Sequence, residues 1–235
     1  MSTRLGIVCL AAGACCGLAL LGCSGGAATR SAQGAHGVAA TAGPESQDQW
    51  DYRRIRFAEA MRGLRIQDGL VRVDEQAAAD IMRGLAVADS PAAVARGHAL
   101  MGENDFTGAA GEYRLAILAD RDNARAYEGL GDALLGKRKD GDALAAYRTA
   151  AMLDPADADL RLKYAETINR SGDLSGWAAE LERIVAFAPE HGEAHARLAV
   201  ARYYLGDHDG ARAHAALAER FGGAVPPQLK AMIGE

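Results

Sequence analysis

The stretch Ala124–Asp157, ARAYEGLGDALLGKRKDGDALAAYRTAAMLDPAD, decides how this chain folds. Large and small apolar residues recur in it at helical spacing: Tyr127, Leu130, Gly131 and Leu134 before the polar run 137–142, then Ala143, Tyr147 and Ala150 after it. That spacing predicts two amphipathic helices of about a dozen residues each, joined by a short turn. Pro155 closes the second helix, and Pro189 stands 34 residues further on. One helical hairpin cannot cover its own apolar face, so a recurrence at this period means that copies stack.

With Ala124 as position 1, the eight residues from Tyr127 to Pro155 take positions 4, 7, 8, 11, 20, 24, 27 and 32. The unit resembles the tetratricopeptide repeat at every signature position, allowing Tyr for Trp and Leu for Tyr. One period back, in 90–123, Gly97, Leu100, Ala109, Tyr113 and Ala116 fall in place, with Arg121 where Pro is usual. One period forward, in 158–191, Tyr164, Ala165, Ile168, Leu181, Ile184 and Pro189 fit. Trp177 stands there where a small residue normally lets the helices approach, and it should widen the local packing. The unit 192–225 keeps Leu198, Ala199, Ala211 and Ala218 but has Arg202 at position 11 and Gly223 at position 32. The resemblance implies an all-α fold, an α-solenoid in which helical hairpins form a right-handed superhelix with a groove lined by the first helix of each unit.

Breakers fall where turns are needed, at Gly102 with Asn104-Asp105, at Asp140-Gly141-Asp142, at Ser171-Gly172-Asp173 and at Gly206-Asp207. Each can end one helix and cap the next. Upstream, residues 48–89 carry Trp50, Phe57, Met61 and Leu64, then Ala77, Ala78, Ile81, Met82 and Leu85, at helical spacing. Gly63 lies one period before Gly97, although Glu75 takes a position that should be small, so 48–89 is expected to be a helical capping hairpin or degenerate repeat. Downstream, Pro226 and Pro227 suit a helix start, and Leu229, Met232 and Ile233 give residues 226–235 one apolar edge, as a C-terminal capping helix would have.

The N-terminal region is of another kind. Cys9, Cys15, Cys16 and Cys23 are the only cysteines, so no disulfide framework lies downstream. Arg4 precedes an apolar stretch from Leu5 to Leu21 that is short for a membrane span and has the layout of a secretory signal. Its end, Leu20-Leu21-Gly22-Cys23, resembles the bacterial lipobox, which implies a lipoprotein signal peptide over 1–22 and a lipidated Cys23. Two or three acyl chains anchor firmly where one does not. Ser24 stands where the family's inner-membrane retention signal is usually Asp, so the resemblance implies the outer membrane, facing the periplasm, in a host with two membranes. Residues 23–47, rich in Gly, Ala, Ser, Thr and Gln, read as a flexible linker.

Chemistry is sparse. The chain has 235 residues, 26 Lys and Arg against 31 Asp and Glu, and a net charge of -5, which argues against nucleic acid. The one tight basic run, Lys137-Arg138-Lys139, reads as a solvated helix end. His191 and His195 are the only histidines at metal-friendly spacing, but they read H-G-E-A-H instead of H-E-x-x-H and are not expected to share a face. No nucleophile motif or phosphate-cradling loop is present. The expectation is a protein with no catalytic residues, no metal, no cofactor and no small-molecule substrate.

Binding remains. The tetratricopeptide resemblance implies that positions 2, 5, 9, 12 and 13 face the groove. These include Val94, His98 and Met101; Arg125, Glu128, Asp132 and Leu135; Asp159, Leu162, Glu166, Asn169 and Arg170; and Glu193, Val200, Tyr203 and Tyr204. A lining with acids in the middle and apolar or aromatic residues towards both ends suits an extended or helical peptide with basic and apolar side chains. It lacks the Lys and Asn by which related repeats grip chaperone carboxylate tails. The architecture resembles the pilotins and assembly lipoproteins of type IV and Flp/Tad pilus or secretion systems, which implies a membrane-anchored scaffold for another envelope protein. A regulatory or substrate-presenting subunit of a cell-wall or polysaccharide enzyme is the alternative.

Overall fold

The computed structural model describes residues 58, 60–84 and 89–234. The signal peptide 1–22, Cys23, the linker, Trp50 and Phe57 lie outside the described residues. Four helical hairpins follow one another: α2 (Ser90–Gly102) with α3 (Phe106–Ala119), α4 (Ala124–Gly136) with α5 (Asp140–Leu153), α6 (Ala158–Arg170) with α7 (Leu174–Phe187), and α8 (Gly192–Tyr204) with α9 (His208–Arg220). The first helices start 34 residues apart, and each of the first three second helices packs on both its own partner and the next first helix. This is the α-solenoid of the tetratricopeptide type. Among the described residues, no helix is long and apolar enough to cross a membrane.

The starts are fixed by side chains. Asp89, Asp105, Asn123, Asp157, Asp173, His191 and Asp207 each accept a hydrogen bond from the backbone N–H three residues on, which supplies one of the four partners a helix start lacks. Of the eight helices in the four hairpins α5 alone departs, with Lys139 at the cap and no side-chain bond. Packing follows from residue size. Tyr113 and Tyr147 are 1% exposed, and Cβ atoms built on Gly97 and Gly129 would lie 2.6 and 2.3 Å from the Tyr113 ring. The glycines therefore let one buried ring touch two first helices. In the third unit Trp177 is buried, and α6 and α7 pair more loosely than the helices of the other units, as its bulk requires.

The N-terminal segment differs from expectation. Where a helical hairpin is expected over 48–89, the described residues are helical at 60–62, Leu64–Gln67 (β1) and Leu70–Val73 (β2) then form an antiparallel ribbon, with Leu64 opposite Val73 and Gln67 opposite Leu70, and α1 (Glu75–Gly84) follows. The turn is Asp68-Gly69, with φ of 55° and 68°, as a two-residue turn that matches strand twist requires. The ribbon does not continue the stack. It lies on the second helices, where the Val71 N–H donates to Thr149 Oγ1 at 3.0 Å and Leu115 and Leu118 are buried against Ala60, Ala78 and Ile81. Gly63 is small because a Cβ there would lie 2.8 Å from Leu118 Cδ2, so its distance from Gly97 does not mark a fifth repeat. Two of the residues that depart from the sequence pattern, Arg121 and Glu75, prove to be one contact, an ion pair tying the inter-repeat loop to α1.

At the other end, α10 (Pro227–Ile233) buries Leu229 and Ile233 against Ala196, Ala199, Ala211, Ala215 and Ala218 of the last unit.

Candidate functional site

The positions expected to line a groove sit on α2, α4, α6 and α8, and ion pairs that bridge repeats join the last three. Glu128 and Asp132 are one turn apart on α4. Lys163, from the next first helix, donates to Glu128 Oε1 at 2.7 Å and to Asp132 Oδ2 at 3.0 Å. The Tyr147 hydroxyl donates to Asp132 Oδ1 at 2.6 Å from behind. Burial alone would lower the Lys163 ammonium, but its bonds to both carboxylates outweigh that and hold it above the ordinary lysine value. Burial and the Asp132 charge push the Tyr147 phenol far above its usual range.

The motif repeats one unit on. Arg197 Nε stands 2.8 Å from Glu166 Oε1, without hydrogen-bond alignment, and Arg197 Nη2 stands 2.8 Å from Glu193. Burial raises the Glu166 carboxyl, with Arg197 pulling the other way. Arg170 reaches back to Asp140 at 3.0 Å. Lys163 and Arg197 both occupy position 6, which the family pattern does not assign to the groove, so sequence reasoning missed the partners of its own acids. The available signal was a base at the same position in two consecutive units.

Between these pairs lie the part-buried apolar side chains Met101, Leu135, Leu162, Val200 and Tyr203, each resting on the core with one side open. Arg125 and Asn169 are exposed, as are His98 and Tyr204, whereas Val94 is 8% exposed and belongs to the core. Asp159 is engaged by His191 Nε2 at 3.1 Å. The strip therefore carries little uncompensated charge, and its free chemistry is apolar contact.

The histidines turn to different partners. His191 caps α8, while His195 places Nδ1 3.0 Å from His214 Nδ1 and Nε2 2.9 Å from the Pro189 carbonyl. Among the described residues, no group of three or more His, Cys, Asp or Glu is placed to hold a metal ion.

No protein-family model matches the chain, and no curated protein matches it. Solved structures do. A crystal structure of MamA superposes with a TM-score of 0.55 at 18% identity, over 63% of this chain and 85% of MamA. The MamA RS-1 ArsTM double mutant gives 0.53 at 18% identity, over 75% of this chain and 96% of its own. At these identities the likeness is one of fold, and the fold is the tetratricopeptide-type solenoid.

Proposed function

We propose that this chain is a non-enzymatic scaffold, held at a membrane through a lipidated Cys23, that binds a peptide segment of another envelope protein along its first helices and helps a pilus-like or secretion-like complex assemble. The observation that carries the reading is the strip on α4, α6 and α8, where apolar side chains stay half open while the neighbouring charges are compensated inside the protein. A peptide would seat apolar or aromatic anchors against Leu135, Leu162, Val200 and Tyr203, and a few such anchors supply most of an interface's affinity. A basic peptide would have to displace Lys163 from Glu128 and Asp132, so apolar anchors dominate recognition.

The test is affinity capture from detergent-solubilised envelope with wild type and a Leu135→Arg, Leu162→Arg variant. Both residues are part-exposed, so the variant should melt within a few degrees of wild type while recovery of the main partner drops about tenfold or more. Equal recovery from a folded variant sinks the groove reading. The anchor is tested separately, by metabolic labelling with an alkyne fatty acid. Label should be incorporated into wild type and absent from Cys23→Ser, and persistent labelling of the variant removes the anchor from the proposal.

A further inference from the structure

Position 4 differs from unit to unit, as Ala93, Tyr127, Arg161 and His195, and in the third unit it carries a guanidinium where the second has a buried ring. The partner of Arg161 is Glu180, 3% exposed, whose two carboxylate oxygens are both taken, one by Arg161 and one by Arg183 at 2.9 Å. The first unit also pairs a buried glutamate with an arginine of its first helix, Glu112 with Arg96, but the third unit sets a second arginine on the same carboxylate and brings a third beside it. Arg148 arrives from α5, held by the Asp68 carbonyl at the ribbon turn at 3.2 Å. These three arginines, with Tyr164, Ala151, Met152 and Glu180, line an open cavity of about 240 Å³.

Three guanidinium groups against one carboxylate leave a surplus of two positive charges, in a chain whose net charge is -5. Each guanidinium carries five N–H donors, and the protein bonds of these three arginines use only a few. The part-buried Tyr164 hydroxyl makes no hydrogen bond among the described residues. Burial pushes that hydroxyl up, and Arg148, Arg183 and Arg161 pull against it with Glu180 opposing them. Met152, 62% exposed, supplies an apolar wall beside the cluster.

We infer that this cavity binds a phosphate-type dianion, with Arg148, Arg161 and Arg183 donating to its oxygens, Tyr164 donating from the floor, and Met152 against the group that carries it. A planar monocarboxylate offers two oxygens and one charge. A tetrahedral dianion offers oxygens in several directions and matches the surplus, and arginine forks favour such oxyanions. The site is formed by second helices and α6, apart from the strip assigned to the peptide, so either can fail without the other.

The probes are inorganic phosphate and dihexanoyl phosphatidic acid below its micelle concentration, titrated at constant ionic strength into the full chain in nonionic detergent. Binding is followed by ³¹P NMR and by the rise in melting temperature that a ligand of the folded state produces. Wild type should bind at least one probe, and the Arg148→Gln, Arg183→Gln variant, changed at two exposed side chains, should bind it about tenfold more weakly while still melting in one cooperative transition in chloride, at a lower temperature because Glu180 and the ribbon turn each lose a partner. Similar affinity for both probes assigns a soluble phosphate source, and preference for phosphatidic acid assigns a lipid headgroup. Binding of neither probe, or equal binding by wild type and variant, overturns the inference. So does an equal loss from Lys137→Gln in the basic run, which would mark the effect as non-specific charge.

Discussion

Arg138 has φ of 57°, in the left-handed region that side chains with a Cβ avoid. It sits at position 15, between the two helices of its unit, where the other units place Asn104 at 60°, Gly172 at 87° and Gly206 at 85°. The backbone there must reverse within two residues, so the left-handed conformation belongs to the fold and Arg138 bears a strain that the two glycines do not. Arg138→Gly should therefore raise stability by about 0.5–1 kcal/mol, and Gly172→Ala should lower it by about 1 kcal/mol. Urea unfolding of the two variants checks both signs together, and a loss on Arg138→Gly would show that the Arg side chain contributes more than the strain costs. The turn was legible from Asn104, Gly172 and Gly206, but the basic run around Arg138 hid its equivalent. Lys163 and Arg197 escaped for a different reason. A single unit's pattern says which face a residue takes, whereas the partner it meets on the next unit depends on the rotation between units, which no local spacing records.

Helices and strands were legible in proportion to their length. Thirteen- and fourteen-residue helices with glycine and alanine at fixed positions announce themselves through a 34-residue period. The ribbon Leu64–Val73 does not, since four residues per strand fit either period. Its alternation, Leu64-Arg65-Ile66-Gln67 and Leu70-Val71-Arg72-Val73 around Asp68-Gly69, is a hairpin signal that the helical spacing of Met61 and Leu64 overruns. The ribbon is held by Val71, 6% exposed, and by the Thr149 bond. Val71→Ala should cost about 1–2 kcal/mol. Because units in such a stack contact only their neighbours, the loss should be local. Hydrogen exchange should quicken in α1, α3 and α5 and stay unchanged in α8 and α9. Uniform quickening along the whole chain would mean that the stack unfolds as one unit and that the ribbon is part of its core.

The segments that flank the stack cover it in unlike ways. The ribbon and α1 cover the second helices of the first two units, while α10 lies on the last unit and continues the succession of helices. α10 comes up to the far end of the first-helix strip, where Tyr203 rests on the cluster of Leu229 and Ile233 and lines one pocket with Met232. A small seven-residue helix is marginal by itself, and α10 owes its place to Leu229 and Ile233, 3% and 5% exposed, and to the ion pair of Lys230 with Glu219. The surface beneath it is almost wholly alanine, which offers little shape for any other covering and would leave a smooth apolar face if α10 came away. Leu229→Ala with Ile233→Ala should thus release the helix instead of leaving a cavity, with a loss near the lower end of the about 2–5 kcal/mol typical of a buried large-to-alanine change. The released face should then self-associate. Sedimentation velocity would show a concentration-dependent dimer in the double variant that wild type does not form under the same conditions, together with faster exchange confined to α8 and α9. A variant that stays at the wild-type oligomeric state and exchanges at wild-type rates would mean that α10 is dispensable and that the last unit, despite Arg202 and Gly223, closes the stack without help.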